Sequence, residues 1–563
     1  MSIISEFFLF FFREEAMKIH KILDRCLLLA VVLSICIFVL YPIFSVFRMS
    51  LFDNGEFTLK YYHDILSRSN LILIRNSMWV TILSSSFTTL FSFIIALYVF
   101  VSSPRTRYFM RSALMLTMIS PPFVSALALI MLFGRRGLIT YGILGLSVNP
   151  YGWQGIVILH TISGISFAAL MLSGTLQNID IRQIMASRDL GANPLQTLRN
   201  IVIPAAWPGI LSVFFILFTM NLADFGTPII IGGRYKVLAT EAYLQMLSSS
   251  SLGKPAAISM LMISPAIAAF YFYRKNISKA GNSSDGSKLS SSEDYVYELP
   301  GYIKNVLLAV VTVFFAIMIL KYSNIFLSTV SNTATGKIRF TSKYIMDLPK
   351  GKIESFWRSI IYSATAGSIA SFVGVLLSYY THRRGLRGMK IVEFAASLPY
   401  IIPGTFFGLG YVAAFSSQPF LLRGTAWIII FNFAFRQISV SNKSANAEFD
   451  TIDRKIELAA RDLGASNLQV LFGIIIPMLR STFLTCFITT FTASMTAVGA
   501  VVFLISPGTN VASVEMFQSI ENGLYGVGSV QAVMIIAVTV TVNLIAMFLL
   551  DEKRGRKNQI KET

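Results

Sequence analysis

The sequence predicts an all-α polytopic membrane protein with about twelve transmembrane helices, arranged as two parallel six-helix repeats. First, 54% of its 563 residues are hydrophobic and only 13% are charged, about half the charged fraction of an ordinary soluble domain. Second, the apolar residues lie in separate runs of about 20, the length that an α-helix needs to cross about 30 Å of hydrocarbon. Third, one polar stretch occurs twice, at equivalent places in two halves of similar length.

The apolar runs can be assigned to individual spans, and the basic residues test the assignment. With a cytoplasmic N-terminus, 29 of the 47 Lys and Arg residues fall in cytoplasmic segments and 17 in outside segments, as the positive-inside rule requires. Arg436, near the end of the tenth span, is the remaining one. The predicted spans are residues 27–47, 71–101, 109–133, 153–176, 205–231, 256–273, 303–321, 357–381, 390–415, 425–441, 480–505 and 529–550.

A polar stretch rich in Gly and Ser separates the two halves and reads as a flexible linker. Met17 is followed by Lys18, His20 and Lys21 like an ordinary cytoplasmic start, so translation from Met1 and from Met17 both stay open. The predicted segments are an N-terminal cytoplasmic segment 1–26, a first half 27–275, a cytoplasmic linker 276–300, a second half 301–552 and a basic cytoplasmic tail 553–563.

The polar stretch that occurs twice is Ala186–Pro204 in the first half and Ala459–Pro477 in the second, and we call these the repeated segments. In each, nine residues separate a glycine from an Ile-x-Ile-Pro sequence. This pattern predicts a short polar helix, a glycine turn, a second short helix and a proline in the first turn of the next span. The topology places both at the cytoplasmic surface. Further correspondences are Asn76-Ser77 with Arg358-Ser359, Pro121-Pro122 with Pro399 and Pro403, Ala223–Gly226 with Thr496–Gly499, and Glu241 with Glu515.

The repeated segments resemble the signature of the permease subunits of binding-protein-dependent ABC importers. That signature is Glu-Ala-Ala, a glycine four residues after the last alanine, nine further residues and Ile-x-Leu-Pro. Both copies depart at the glutamate, which is Met185 in the first and Leu458 in the second, with Glu457 one position earlier. The resemblance extends over about residues 25–550. It implies the MetI-like fold of type I ABC importer permeases, with both halves in one chain.

The resemblance also implies roles and partners. The short helices would be coupling helices that dock onto two copies of a cytoplasmic ABC ATPase subunit carrying ATP-Mg, and an extracytoplasmic binding protein would deliver the substrate. Well-capped surface helices are the plain alternative, and for Arg188 and Arg461 an intramolecular partner is an equal possibility. The candidate coupling residues are Ala186, Arg188, Asp189, Gly191, Pro204, Ala459, Ala460, Arg461, Asp462, Gly464 and Pro477.

Three acidic residues are further candidates. Asp224, near the far end of the fifth span, either lines the pathway or gate, as intramembrane charges often do, or caps the break made by Gly226 and Pro228. Glu241 and Glu515 fall in outer loops, which in the resembled family face the binding protein. They could meet basic residues of that partner or be solvated.

Several functions are not indicated. There is no Gly-x-x-x-x-Gly-Lys-Ser/Thr sequence, so the chain is expected to be no enzyme and to leave ATP hydrolysis to its partner. The sequence gives no His/Cys/carboxylate cluster for a metal, and no cofactor is expected on this chain. The net charge of +19 fits basic cytoplasmic loops and contact with membrane lipid rather than nucleic acid. We expect a multi-pass protein of a bacterial inner membrane with both termini cytoplasmic.

The substrate is predicted by resemblance alone. Ala223–Pro228 followed by Ile231-Gly232-Gly233 and Leu238–Tyr243 resembles ferric-iron permeases most. Thiamine, phosphonate and polyamine permeases are also similar, so these substrates stay open. An ATP-independent secondary transporter, which can also have two parallel six-span halves, is the alternative from a different class.

Overall fold

The structure is a computed structural model. It describes the backbone of residues 2–562 except 54, 68–69, 119–120, 136, 147–148, 249–250, 283–295, 333–337 and 347. The side chains of 1–17, 122, 277–295, 401, 547 and 549–563 also lie outside the described part. The start at Met1 or Met17, most of the linker 276–300 and the side chains of the tail 553–563 therefore fall outside it.

The first half contains thirteen helices of the described chain, three short π-helical turns and one small hairpin. The π-helical turns are Cys36–Leu40, Leu138–Ile143 and Leu198–Val202. The elements are α1 (Ser2–Ile35), α2 (Tyr41–Leu51), β1 (Phe52–Asp53), β2 (Glu56–Phe57), α3 (Lys60–Ile65), α4 (Leu71–Phe100), α5 (Pro104–Thr117), α6 (Pro122–Phe133), α7 (Trp153–Gln177), α8 (Ile181–Asp189), α9 (Pro194–Thr197), α10 (Ile203–Ala223), α11 (Gly226–Ile231), α12 (Leu238–Ser248) and α13 (Gly253–Asn282).

The second half repeats this order with a hairpin after its first span. Its π-helical turns are Tyr379–Arg383 and Leu471–Ile475. The elements are α14 (Gly301–Thr329), β3 (Ser331–Asn332), β4 (Arg339–Phe340), α15 (Lys343–Met346), α16 (Lys350–Ser378), α17 (Met389–Ile401), α18 (Gly404–Ala414), α19 (Ala426–Phe449), α20 (Arg454–Asp462), α21 (Asn467–Val470), α22 (Ile476–Met478), α23 (Arg480–Thr496), α24 (Ala512–Glu521) and α25 (Tyr525–Glu562).

Within the described residues, nine helices are long and apolar enough to cross a membrane, or eleven if two bent pairs each count as one span. The predicted count of about twelve exceeds the larger figure by one span, which corresponds to α19. The predicted span 425–441 is helical, as α19, but its Asn432, Arg436 and Gln437 make it too polar to qualify. It packs against α16 as α7 packs against α4, so its place in the fold is that of a fourth span.

Several predicted spans are not single helices. The third, 109–133, divides into α5 and α6, and the ninth, 390–415, bends by 111° between α17 and α18. Pro121 and Pro403 stand at these breaks as the residues just before the new helices, because proline cannot continue a helix but suits its start. The fifth and eleventh spans end at Ala223 and Thr496 rather than at 231 and 505.

The opening span of each half packs against the other half. The first span, Lys18–Leu51, contacts α16, α17, α18 and α19, while α14 contacts α4 and α6. Asp24 accepts a hydrogen bond from Tyr380 Oη at 3.0 Å and forms an ion pair with Arg384 at 2.7 Å. On the other side, Tyr322 Oη donates to the Thr117 carbonyl at 3.0 Å. This reciprocal exchange joins the halves, and the largest buried apolar cluster includes residues of both.

The predicted correspondence between the halves is also seen in equivalent hydrogen bonds. Ser77 Oγ accepts from the Leu238 N–H, and Ser359 Oγ accepts from the Ala512 N–H, both at 2.7 Å. In each half a serine near the start of the second span therefore satisfies the first N–H of a short helix that follows the fifth span. Beside them, Asn76 donates to the Lys236 carbonyl and Arg358 to the Asn510 carbonyl.

Candidate functional site

The first repeated segment forms the predicted helix, glycine turn and helix. Asp180 caps α8 by accepting a hydrogen bond from the Arg182 N–H at 3.0 Å. Gly191 has φ +86°, the left-handed conformation in which glycine commonly ends helices. Asn193 and Gln196 then form a reciprocal capping box at the start of α9, and Pro204 lies in the first turn of α10.

The second repeated segment has the same backbone plan with different side chains. Asp453 caps α20 by accepting from the Lys455 N–H at 2.9 Å. Gly464 has φ +90°, and Ser466 with Gln469 forms the capping box of α21. Pro477 lies in α22, but here the chain bends by 70° before α23, whereas α10 continues from the first segment without such a bend.

Each repeated segment projects an apolar residue at its tip. Leu190 is 89% exposed and Leu463 is 83% exposed, and each directly precedes the turn glycine. Met185 and Leu458, at the two positions where the signature glutamate is absent, are also about half exposed. The two halves therefore expose apolar side chains at equivalent positions.

The two segments are attached to the body of the protein differently. Glu457, the buried residue of α20, forms an ion pair with Arg383, and their side chains are 9% and 4% exposed. Arg383 also donates to the carbonyls of Phe449 and Ile452. In the first half the position equivalent to Glu457 is Ile184, which is buried in an apolar cluster.

The two candidate arginines both have an intramolecular acid nearby. Arg188 lies 3.9 Å from Glu298, and Arg461 lies 3.8 Å from Glu457. Glu298 is largely exposed, and both distances exceed that of a normal hydrogen bond. The intramolecular partners considered from the sequence are therefore present, and an ATPase contact by either arginine stays a prediction.

Asp224 caps the break after α10. Its Oδ1 accepts from the N–H groups of Gly226 at 2.9 Å and Thr227 at 3.3 Å, and its Oδ2 lies 3.1 Å from His160 Nε2. The capping alternative describes this geometry, and a role of Asp224 in the pathway or gate stays a prediction. The second half has Ala497 at the equivalent position.

Glu241 and Glu515 lie in short helices within the connections that follow the fifth and eleventh spans. Each is in the first turn of its helix, α12 or α24, where a carboxylate interacts favourably with the helix N-terminus. Glu241 accepts from Gln245 and Glu515 accepts from Asn510, both at 2.8 Å. Their docking to a binding protein remains a prediction.

An aromatic cluster lies at the contact between the halves, beyond the end of α10. Phe225 lies 4.8 Å from Tyr243 and 5.7 Å from Phe517, measured between ring centroids. Phe123 lies 5.0 Å from Phe517, and Phe503 packs on Tyr243. Because α10 starts at the first repeated segment and runs 21 residues, the cluster lies about 30 Å from that segment along the helix.

The tyrosine of this cluster is neutral. Burial, with a smaller contribution from the Glu521 carboxylate, raises the pKa of Tyr243 to about 12. The cluster is tightly packed at Gly226, where an added β-carbon would lie within van der Waals overlap of the Phe123 ring.

A cavity of about 310 Å³ lies next to the cluster, on the side of the repeated segments. Its α10 residues, Phe215 to Met220, precede Phe225 by one to three turns. Residues of both halves enclose it, from α7, α10 and α13 of the first and α17 and α19 of the second. Among the described residues, no group of three or more His, Cys, Asp or Glu side chains is placed to hold a metal ion.

Comparison with known proteins assigns the family. The family described as binding-protein-dependent transport system inner membrane component matches residues 88–280 and again residues 370–551. The chain belongs to this family. Each match contains one repeated segment, so the permease carries two copies of the family domain, as an inner membrane protein that crosses the membrane several times.

Curated relatives are permeases as well. A ferric transport system permease protein of Actinobacillus pleuropneumoniae is 28% identical over 555 residues, 95% of this chain and 79% of that protein. A putative ferric transport system permease protein of Haemophilus influenzae is 28% identical, over 86% of this chain and 78% of that protein. A spermidine/putrescine transport system permease protein of Escherichia coli is 25% identical over 189 residues, 33% of this chain and 67% of that protein.

Sequence reasoning missed two parts of this permease. The aromatic cluster joins five residues from five different elements and connections of the chain, and no local pattern marks them. Arg436 faces the cavity, and here a signal was present, because it was the single basic residue that neither side of the membrane accounted for. An unassigned charge inside a predicted span is itself a reason to expect a functional site.

Proposed function

We propose that this permease is the membrane subunit of an ABC importer for ferric iron. Two copies of a cytoplasmic ATPase subunit would dock onto the repeated segments, and a soluble binding protein would deliver the cargo to the opposite face. The observation that carries the proposal is the matched pair of repeated segments, with equal glycine turns and equally exposed leucine tips. The 28% identity to a ferric permease over 95% of the chain supports the choice of iron.

The geometry supports a mechanism of alternating access. ATP binding by the partner would draw the two ATPase subunits together, and the rigidly capped helices α8 and α20 would transmit that motion. Separation of the halves would open the aromatic cluster toward the binding protein and close the cavity side. The contacts among the aromatic rings and the cavity on the side of the repeated segments are what this mechanism expects of a state after release of the binding protein.

Both termini would be cytoplasmic in this arrangement, on the side of the repeated segments. A cysteine introduced at Leu190 or Leu463, with Cys26, Cys36 and Cys486 replaced by serine, should react with a membrane-impermeant thiol reagent only when the cytoplasmic face is accessible. Labelling from the outside of intact cells would contradict this orientation.

Reconstitution tests the proposal. The permease, its candidate ATPase and the binding protein are placed in liposomes, and uptake of labelled iron(III) is measured with and without ATP. Uptake that requires ATP and the ATPase would establish the class and the substrate. ATPase binding without iron uptake would keep the class, and spermidine, a phosphonate and thiamine would be tested next. Uptake without any ATPase would favour a secondary transporter.

A further inference from the structure

The cavity between the halves has a positively charged lining. Arg436, from the middle of α19, is the charged residue of its lining, and the other polar side chains there include Thr219, Tyr273, Tyr400 and Gln437. None of the described lining residues is Asp or Glu. With about 310 Å³, the cavity is at the small end of the range of ligand pockets.

Arg436 has no counter-ion. Across the described residues, neither a hydrogen bond nor an ion pair joins its guanidinium to another group, although its neighbours Phe435 and Ile438 on α19 are buried. Charged side chains at membrane depth are costly and are usually paired or functional. Three features of the site therefore require explanation together: the charge, its depth and the cavity in front of it.

The guanidinium also faces the start of a helix. A β-carbon added to Gly404 would lie 2.8 Å from Arg436 Nη2, so the guanidinium packs against the first residue of α18. The first N–H groups of a helix have no intrahelical acceptor and carry positive partial charge. Two positive groups therefore lie side by side, and an anion in the adjoining cavity would interact favourably with both.

A second cation extends the positive surface toward the repeated segments. Lys443, about two turns further along α19, lies 5.4 Å from the ring centroid of Tyr400, which also lines the cavity. The acid on the facing helix, Glu393, accepts hydrogen bonds from Asn442 and Asn446 at 2.9 and 3.1 Å. Those amides donate to the Glu393 carboxylate, which forms no ion pair with Arg436 within the described residues.

We propose that this cavity binds a small oxygen anion at Arg436, and that iron crosses the permease as an anion-coordinated complex rather than as a bare cation. The iron part rests on the proposed function. A trivalent cation next to an unpaired guanidinium in a low-dielectric cavity is strongly repelled. Oxygen anions that coordinate iron(III) remove this repulsion and donate acceptor atoms to the guanidinium, which suits planar bidentate partners. The same charge disfavours polyamines, which are cations.

Equilibrium binding to the purified full-length permease tests the anion site without transport. Labelled inorganic phosphate and labelled citrate are titrated with and without iron(III). Wild type should bind at least one of them, and Arg436→Gln should weaken that binding at least about tenfold, since it removes charge-assisted hydrogen bonds. Arg436→Lys should lose less. The control Lys304→Gln removes an exposed cation from α14 and should bind as wild type.

A second variant distinguishes loss of the anion site from misfolding. Gly404→Ala leaves the charge in place but displaces Nη2, and it should weaken anion binding in the same direction. Removal of an unpaired buried charge should not lower the melting temperature of Arg436→Gln. Equal binding by wild type and both cavity variants, or no anion binding by wild type, would overturn the inference.

Transport with two labels separates the inference from the proposed function. Liposomes with the complete importer receive labelled iron(III) together with labelled anion, and both should enter in a fixed ratio that Arg436→Gln abolishes. Iron entry without anion, undiminished in Arg436→Gln, would overturn the inference and leave the proposed function intact. Absence of iron uptake by wild type would instead count against the proposed function, and the binding titration would still decide whether Arg436 holds an anion.

Discussion

The two halves of this permease share a backbone plan at the repeated segments but differ in the residues behind them. Gly191 and Gly464 have nearly the same φ, and Leu190 and Leu463 are exposed almost equally. Behind these tips, the first half buries Ile184 and the second half buries the Glu457–Arg383 pair. At the position equivalent to the cavity residue Arg436, the first half has Ser163.

This difference follows from what each region contacts. Two copies of the same ATPase subunit would require two equal docking surfaces, so the exposed tips stay alike. A single cavity for one cargo does not require equal residues in the two halves. The contacts that attach each repeated segment to the rest of the protein need only be stable. Symmetry is therefore retained where a repeated partner would bind and lost where each half meets the rest of this chain.

The largest expected effect is at the shared tips. Gly191→Pro and Gly464→Pro should each abolish ATP-dependent iron uptake, because proline is fixed near φ −65° and cannot adopt the positive φ of either turn. The ATPase should no longer co-purify in full amount with either variant. Uptake assays and pull-down of the ATPase check this.

The control for the glycine variants is Gly424→Pro. Gly424 also has positive φ, at +83°, and precedes α19 at the end away from the repeated segments. This variant should still retain its ATPase. If only one of the two tip variants lost coupling, the equality of the halves would be refuted.

The next largest effect should differ between the two halves. Glu457→Ala should destabilise the permease by about 3 kcal/mol, because it leaves the buried Arg383 without its counter-ion. Ile184→Val, at the equivalent position, should cost only about 1 kcal/mol, since it removes one methylene from an apolar site. Thermal unfolding of the purified variants measures both. Equal losses would show that the ion pair contributes no more than its apolar counterpart.

A smaller effect should be equal in both halves. Ser77→Ala and Ser359→Ala each remove the acceptor of a buried N–H, that of Leu238 or Ala512, and should each cost about 1–3 kcal/mol. Ser368→Ala, on the exposed side of α16, serves as the control and should have little effect. A difference of more than about 1 kcal/mol between the two buried serines would weaken the structural equivalence of the second and eighth spans.

Much of this fold could be predicted from the sequence because its signals are local. Apolar runs located the spans, and the spacing around Gly191 and Gly464 gave the helix, turn and helix of each repeated segment. The exchange of opening spans could not be predicted, since a helix such as α14 carries no sequence feature that selects α4 over a neighbour in its own half. The bends at Pro403 and Leu479 depend on packing that proline alone does not specify. The lack of a counter-ion at Arg436 depends on which residues of distant segments surround it.

The smallest expected effect concerns Asp224, which has no acidic counterpart in the second half. Asp224→Ala should cost about 1 kcal/mol, because it removes the acceptor of the Gly226 and Thr227 N–H groups, whereas Asp224→Asn keeps an oxygen for these groups and should cost less. Ala497→Asp should gain little, because Phe433 stands 273 residues after His160 and offers no partner. Near-wild-type iron uptake by Asp224→Asn would assign Asp224 to structure. A strong loss of uptake with an unchanged melting temperature would instead place it in the pathway, and the difference between the halves would then extend to the route of the cargo.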